Sequence, residues 1–78
     1  MKKLIEISNK AVADYGFRQI VQWSPDDIVA QWQLSTREAE LLTGVIKDEL
    51  DRLPIPVEPP DVPREQERVA GIIRQALA

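Results

Sequence analysis

The sequence predicts an all-α protein: a small four-helix module followed by a proline-rich arm and a C-terminal helix. Three observations carry that expectation. Residues 23–40 read WSPDDIVAQWQLSTREAE, with helix-start signals at Ser24 and Ser35. Residues 36–53 hold the clearest apolar pattern at helical spacing, and five prolines crowd residues 54–63 directly after it. The chain is also short: 78 residues with 44% hydrophobic and 29% charged content suit one folded domain near the lower size limit for an independent core.

The first helix is expected over about residues 2–15, where Leu4, Ile5, Ile7, Ala11, Val12 and Tyr15 recur at helical spacing and Gly16 is placed as a C-cap. A short second helix over about 17–22 carries Phe17, Ile20 and Val21, with Trp23 at its end. Ser24 then reads as an N-cap, Pro25 as a first helical residue, and Asp26 and Asp27 as first-turn acids favoured by the helix dipole. That third helix, over about 25–33, turns Ile28, Val29 and Trp32 inward. Ser35, Thr36, Arg37 and Glu38 form a capping box, with Leu34 placed to staple against Ala39.

The fourth helix, over about 36–53, places Leu42, Val45, Ile46, Leu50 and Leu53 on one stripe, with Asp48, Glu49, Asp51 and Arg52 outside it. Gly44 inside it costs about 1 kcal/mol relative to alanine and reads either as a close helix–helix approach or as a break. The arm at 54–63 is expected to be a stiff polyproline II spacer, reaching roughly 30 Å at about 3.1 Å per residue. A fifth helix over 64–77 carries Val69, Ile72, Ile73, Ala76 and Leu77 on one face. The domain plan is therefore a helical module at 1–53, a linker at 54–63 and an amphipathic helix at 64–78. Leu4, Ile5, Val12, Phe17, Ile20, Trp23, Ile28, Trp32, Leu42 and Ile46 form the expected core. The four aromatics all fall between residues 15 and 32, which places the heaviest packing there.

Composition removes several chemistries. There is no cysteine and no histidine, so disulfides, zinc–thiolate sites, thiol nucleophiles and the commonest general base are all absent. The hydroxyls of Ser8, Ser24, Ser35, Thr36 and Thr43 have no histidine to activate them. Three glycines, at 16, 44 and 71, make no phosphate loop. Asp26 with Asp27, and Asp48, Glu49 and Asp51, point apart on helices and read as dipole partners and a solvated face rather than metal ligands. No enzyme activity, catalytic residue, metal or cofactor is expected.

Net charge is −3 and unevenly spread: four bases against two acids in residues 1–23, three against seven in 24–53, and three against four beyond. An acidic central motif disfavours duplex nucleic acid. Glu6 interrupts the apolar run after Leu4 and Ile5, and no stretch approaches the roughly 18 apolar residues of a membrane span, so a cytoplasmic protein with no membrane partner is expected.

Residues 34–42, LSTREAELL, look like the opening helix of LuxR-type DNA-binding domains. The chain then runs through VIKDELDRL into proline, with no recognition helix to read base edges. A broader likeness spans residues 3–44 at Ala13, Phe17, Arg18, Pro25, Asp26, Val29, Trp32, Leu34, Ser35, Glu38, Ala39 and Leu42. There the chain resembles small helical modules of the protocatechuate 4,5-dioxygenase alpha-subunit type, leader regions of ribosomal-peptide precursors and borosin binding domains. The resemblance implies a module that a partner enzyme holds. Beyond Thr43 no Ser, Thr or Cys remains for heterocycle or thioether chemistry, which departs from the precursor pattern.

The function expected is a non-enzymatic interaction module, recognised by a partner enzyme as a leader or scaffold would be, or self-associating. The alternatives are a small helix-turn-helix regulator and an accessory small subunit of a dioxygenase-type enzyme. Trp32, Leu34, Val69, Ile72, Ile73 and Leu77 are the expected partner-binding residues. The fifth helix is expected either to fold back over the Leu50 and Leu53 end or to dock on another chain, with docking slightly favoured because a 53-residue core alone would be barely stable.

Overall fold

The computed structural model describes residues 2–77, and these are mainly helical with no strand among them, the all-α class that the sequence predicts. In chain order the elements are α1 (Lys2–Ala13), α2 (Tyr15–Trp23), α3 (Pro25–Trp32), α4 (Thr36–Leu41), a π turn (Leu42–Ile46), α5 (Lys47–Asp51), a 3-10 turn (Pro59–Asp61) and α6 (Val62–Leu77).

Local chemistry explains most boundaries. Asp14 is the single non-helical residue between α1 and α2, and its Oδ1 accepts from the Phe17 N–H at 3.2 Å. A short polar side chain that satisfies an orphan amide is what an N-cap requires. Gly16 therefore lies inside α2 rather than capping α1, which corrects the expected boundary. Ser24 does precede α3, with Pro25 in its first turn, but its hydroxyl makes no capping bond. The Ser35 capping box is complete: Ser35 Oγ accepts from the Glu38 N–H at 3.2 Å, and Glu38 Oε1 accepts from the Ser35 N–H at 2.8 Å.

The expected single helix over 36–53 is instead two α segments joined by the π turn around Gly44. Thr43 Oγ1 donates to the carbonyls of Ala39 at 3.0 Å and Glu40 at 3.4 Å, competing with the regular ladder beside a weak helix former. A Cβ at Gly44 would meet nothing within 4 Å, so the glycine marks the irregular turn and not a close helix contact.

The core runs through Leu4, Ile7, Ala11 and Val12 of α1, Val21 of α2, Ile28 of α3, then Leu42, Ile46, Leu50 and Leu53, and finally Val57, Val69 and Ile73. Ile5, Phe17, Val29, Trp32, Leu34, Leu41 and Val62 pack against it half-buried. Ile20 and Trp23, expected inside, are 44% and 73% exposed. No aromatic is fully buried; aliphatic side chains fill the interior, and the heaviest packing lies elsewhere than residues 15–32.

The arm is the largest departure from expectation. Arg18, 2% exposed, reaches 35 and 36 residues along the chain to donate from Nη2 to the Leu53 carbonyl at 3.0 Å and from Nη1 to the Pro54 carbonyl at 2.7 Å. Val57 is buried, and a cis bond joins Ile55 to Pro56. The proline segment is thus pinned to the body instead of spanning 30 Å, and it delivers α6 onto α1. Gln66 Nε2 donates to the Asn9 carbonyl at 2.9 Å, and Arg37 Nη2 to the Ala76 carbonyl at 3.3 Å, tying α6 to α1 and α4. Glu49, 8% exposed, accepts from Arg68 of α6 and from Arg52, and Arg68 Nε also donates to Glu65 at 2.7 Å. Paired first with Glu49 and then Glu65, the Arg68 guanidinium is held above its ordinary pKa. All 76 described residues form one body with a Cα radius of gyration of 11.3 Å.

Candidate partner-binding cleft

An open cleft of about 480 Å³ lies where α1 faces the start of α2 and the end of α3. Lys3, Lys10, Phe17, Gln31, Trp32 and Gln33 line it. Lys3 and Lys10 are seven residues apart on α1, so they stand two turns, roughly 10 Å, apart on one side of the helix. Lys10 Nζ lies 4.6 Å from the centroid of the Phe17 ring. Lys3 Nζ donates to the Gln33 carbonyl at 3.2 Å. Both ammonium groups are thereby held along the cleft rather than dispersed into solvent.

The far wall comes from the way α3 ends. Gln33 adopts a left-handed conformation with φ 53° and ψ 53°. Its N–H reaches the Ala30 carbonyl at 3.3 Å, and the Leu34 N–H reaches the Val29 carbonyl at 3.0 Å, the paired bonds of a Schellman motif. That turn sets half-buried Trp32 beside the glutamine amides and sends Leu34 back against the core. Among the described residues no carboxylate lines the cleft. Glu38 stands close enough to feel Lys3; its carboxyl is held below the usual range first by the Ser35 N–H, and to a lesser degree by that lysine.

The expected partner-binding residues fall into separate places. Trp32 lines the cleft, and Leu34 is half-buried beside it in sequence. Val69 and Ile73, at 0% and 1% exposure, are spent on the molecule's own core and offer no docking surface in this fold. Ile72 is half-buried, and the side chain of Leu77 lies outside the described residues. The cleft residues missed by sequence reasoning are Lys3, Lys10, Phe17, Gln31 and Gln33. The seven-residue lysine spacing was a visible signal; the left-handed turn at Gln33, with no glycine or asparagine to announce it, was not.

Among the described residues no group of three acids could converge on a metal ion, and no helix is long and apolar enough to cross a membrane. Beyond the cleft, the large apolar side chains exposed to solvent are Ile20, Trp23 and Ile55. Comparisons with known protein families, with curated proteins and with solved structures found no match.

Proposed function

We propose that this protein is a non-catalytic interaction module, held by a partner protein that presents an acidic segment with an apolar side chain to the cleft. The observation that carries the reading is the cleft's lining: two ammonium groups and two aromatic rings with no acid among them. Lys3 and Lys10 would each take a carboxylate, and an apolar side chain would lie against Trp32 and Phe17. The glutamine amides can both donate and accept, which suits an extended peptide backbone. An enzyme that holds the chain as a leader or accessory subunit fits this mode. The regulator alternative has no observation in its favour, since the basic groups lining the cleft among the described residues are two lysines.

The test uses Trp32 fluorescence in a Trp23→Phe chain. A short peptide carrying leucine between glutamates should shift the emission and bind less tightly as salt rises, while the same peptide with lysines should not bind. Lys3→Glu with Lys10→Glu should remove binding; because Lys3 also holds the Gln33 carbonyl, an unchanged helical circular dichroism spectrum, and not an unchanged melting temperature, shows that the fold is kept. Equal binding of the two peptides, or none of either, would overturn the reading. So would salt-sensitive binding of duplex DNA in place of the acidic peptide.

A further inference from the structure

α2 buries Arg18, Val21 and Gln22, and turns the opposite side to solvent. Gly16, Ile20 and Trp23 are spaced four and three residues apart, so they share that outer side. Gly16 is exposed, Ile20 is 44% exposed and Trp23 is 73% exposed. A tryptophan so placed leaves most of a very large apolar surface in water, with no capping or core role to account for it. Lys47 stands over the ring, its Nζ 5.3 Å from the ring centroid.

The stripe has a size gradient and a charge gradient, and the two run together. At its N-terminal end stands Gly16, next to Asp14, whose Oδ1 would be 3.3 Å from a Cβ at Gly16. At its C-terminal end stands Trp23, next to Lys47. The smallest residue and a carboxylate mark one end; the largest and an ammonium mark the other.

We infer that this face pairs with a second copy of the chain, α2 against α2 in antiparallel orientation about a two-fold axis between residues 19 and 20. In that arrangement Trp23 of each copy covers Gly16 of the other, where the missing side chain leaves room for an indole. Ile20 sits beside the axis. Lys47 of each copy approaches Asp14 of the other. Each has capacity left: the ammonium has donors beyond the one given to Asp51, and the carboxylate has acceptor sites beyond the one that caps Phe17. Both gradients are satisfied at once when the helix runs antiparallel against its own copy. A single nine-residue helix on each side makes a small interface, so the dimer is weak. The face is separate from the cleft, and either reading can fail without the other.

Sedimentation equilibrium of the full chain, from micromolar to millimolar, should show the mass rising from that of one 8.9 kDa chain toward two. Trp23→Glu and, independently, Ile20→Glu should each raise the dimer Kd at least about tenfold with the melting temperature of the monomer unchanged. The chain contains no cysteine, so a nitroxide can be placed at one site. Labels on Gln19→Cys should report a short distance between copies, and labels on Gln75→Cys of α6 a long one. A monomer throughout that range, a dimer indifferent to both glutamate substitutions, or close labels at position 75 and not at 19 would each overturn the inference.

Discussion

Gln33 occupies the one left-handed backbone position among the described non-glycine residues. An ordinary side chain there costs about 1–2 kcal/mol, because its Cβ crowds the following carbonyl. The protein tolerates this because the turn closes two backbone bonds and its carbonyl receives Lys3. Gln33→Gly would keep all three bonds, which at the turn use the Gln33 N–H and carbonyl and the Leu34 N–H and no side chain of residue 33. It should stabilise the fold by about 1 kcal/mol, once the greater freedom of glycine in the unfolded chain is allowed for. Thermal melting should show the gain as a rise of a few degrees.

At the scale of elements, the deciding placement is α6 on α1. Ile73 is 1% exposed and Ile72 is half-buried. Ile73→Ala should therefore cost about 2–5 kcal/mol in the isolated monomer, and Ile72→Ala markedly less. Chemical denaturation of the two variants measures the difference directly, and equal small effects would mean that α6 is not packed on its own chain. Helix identity was legible in the sequence because capping and periodicity are local: the Ser35 capping box, Pro25 at the start of α3 and the apolar stripe of α6 are all in place. What α6 packs on was not legible, since an apolar stripe does not name its partner. Nor was the course of the arm, which depends on Arg18, a residue whose long-range bonds leave no trace in spacing. The aromatics misled for a related reason. Size argues for burial only when a cavity of matching size exists, and here leucine, isoleucine and valine fill the interior.

The whole molecule is a closed body braced by one buried cation. Arg18 stacks 5.3 Å from the Tyr15 ring centroid while its two terminal nitrogens hold the Leu53 and Pro54 carbonyls. Burial pulls its pKa below the ordinary arginine value, with Tyr15 and Asp51 pulling back, and the group stays charged. Its Nε has no hydrogen-bond partner, so the brace carries a desolvation cost that only its two strong bonds offset. Arg18→Ala should destabilise the protein by about 3 kcal/mol and expose residues 54–58 to proteolysis before the rest. Arg18→Lys should recover only part of the loss, because a single ammonium cannot present the planar fork that meets two carbonyls. Denaturation midpoints and limited digestion, run side by side, check both statements.

The same brace sets an order in time. The Leu53 and Pro54 carbonyls find Arg18 only after the intervening 34 residues have folded and carried them back to α2. Loss of that one contact should therefore release the arm before the packed helices part. Hydrogen exchange should show amide protons of the arm exchanging ahead of those deep in α1, and equal rates would count against it. A protein of this size with no disulfide still has two clocks, one for the arm and one for the core.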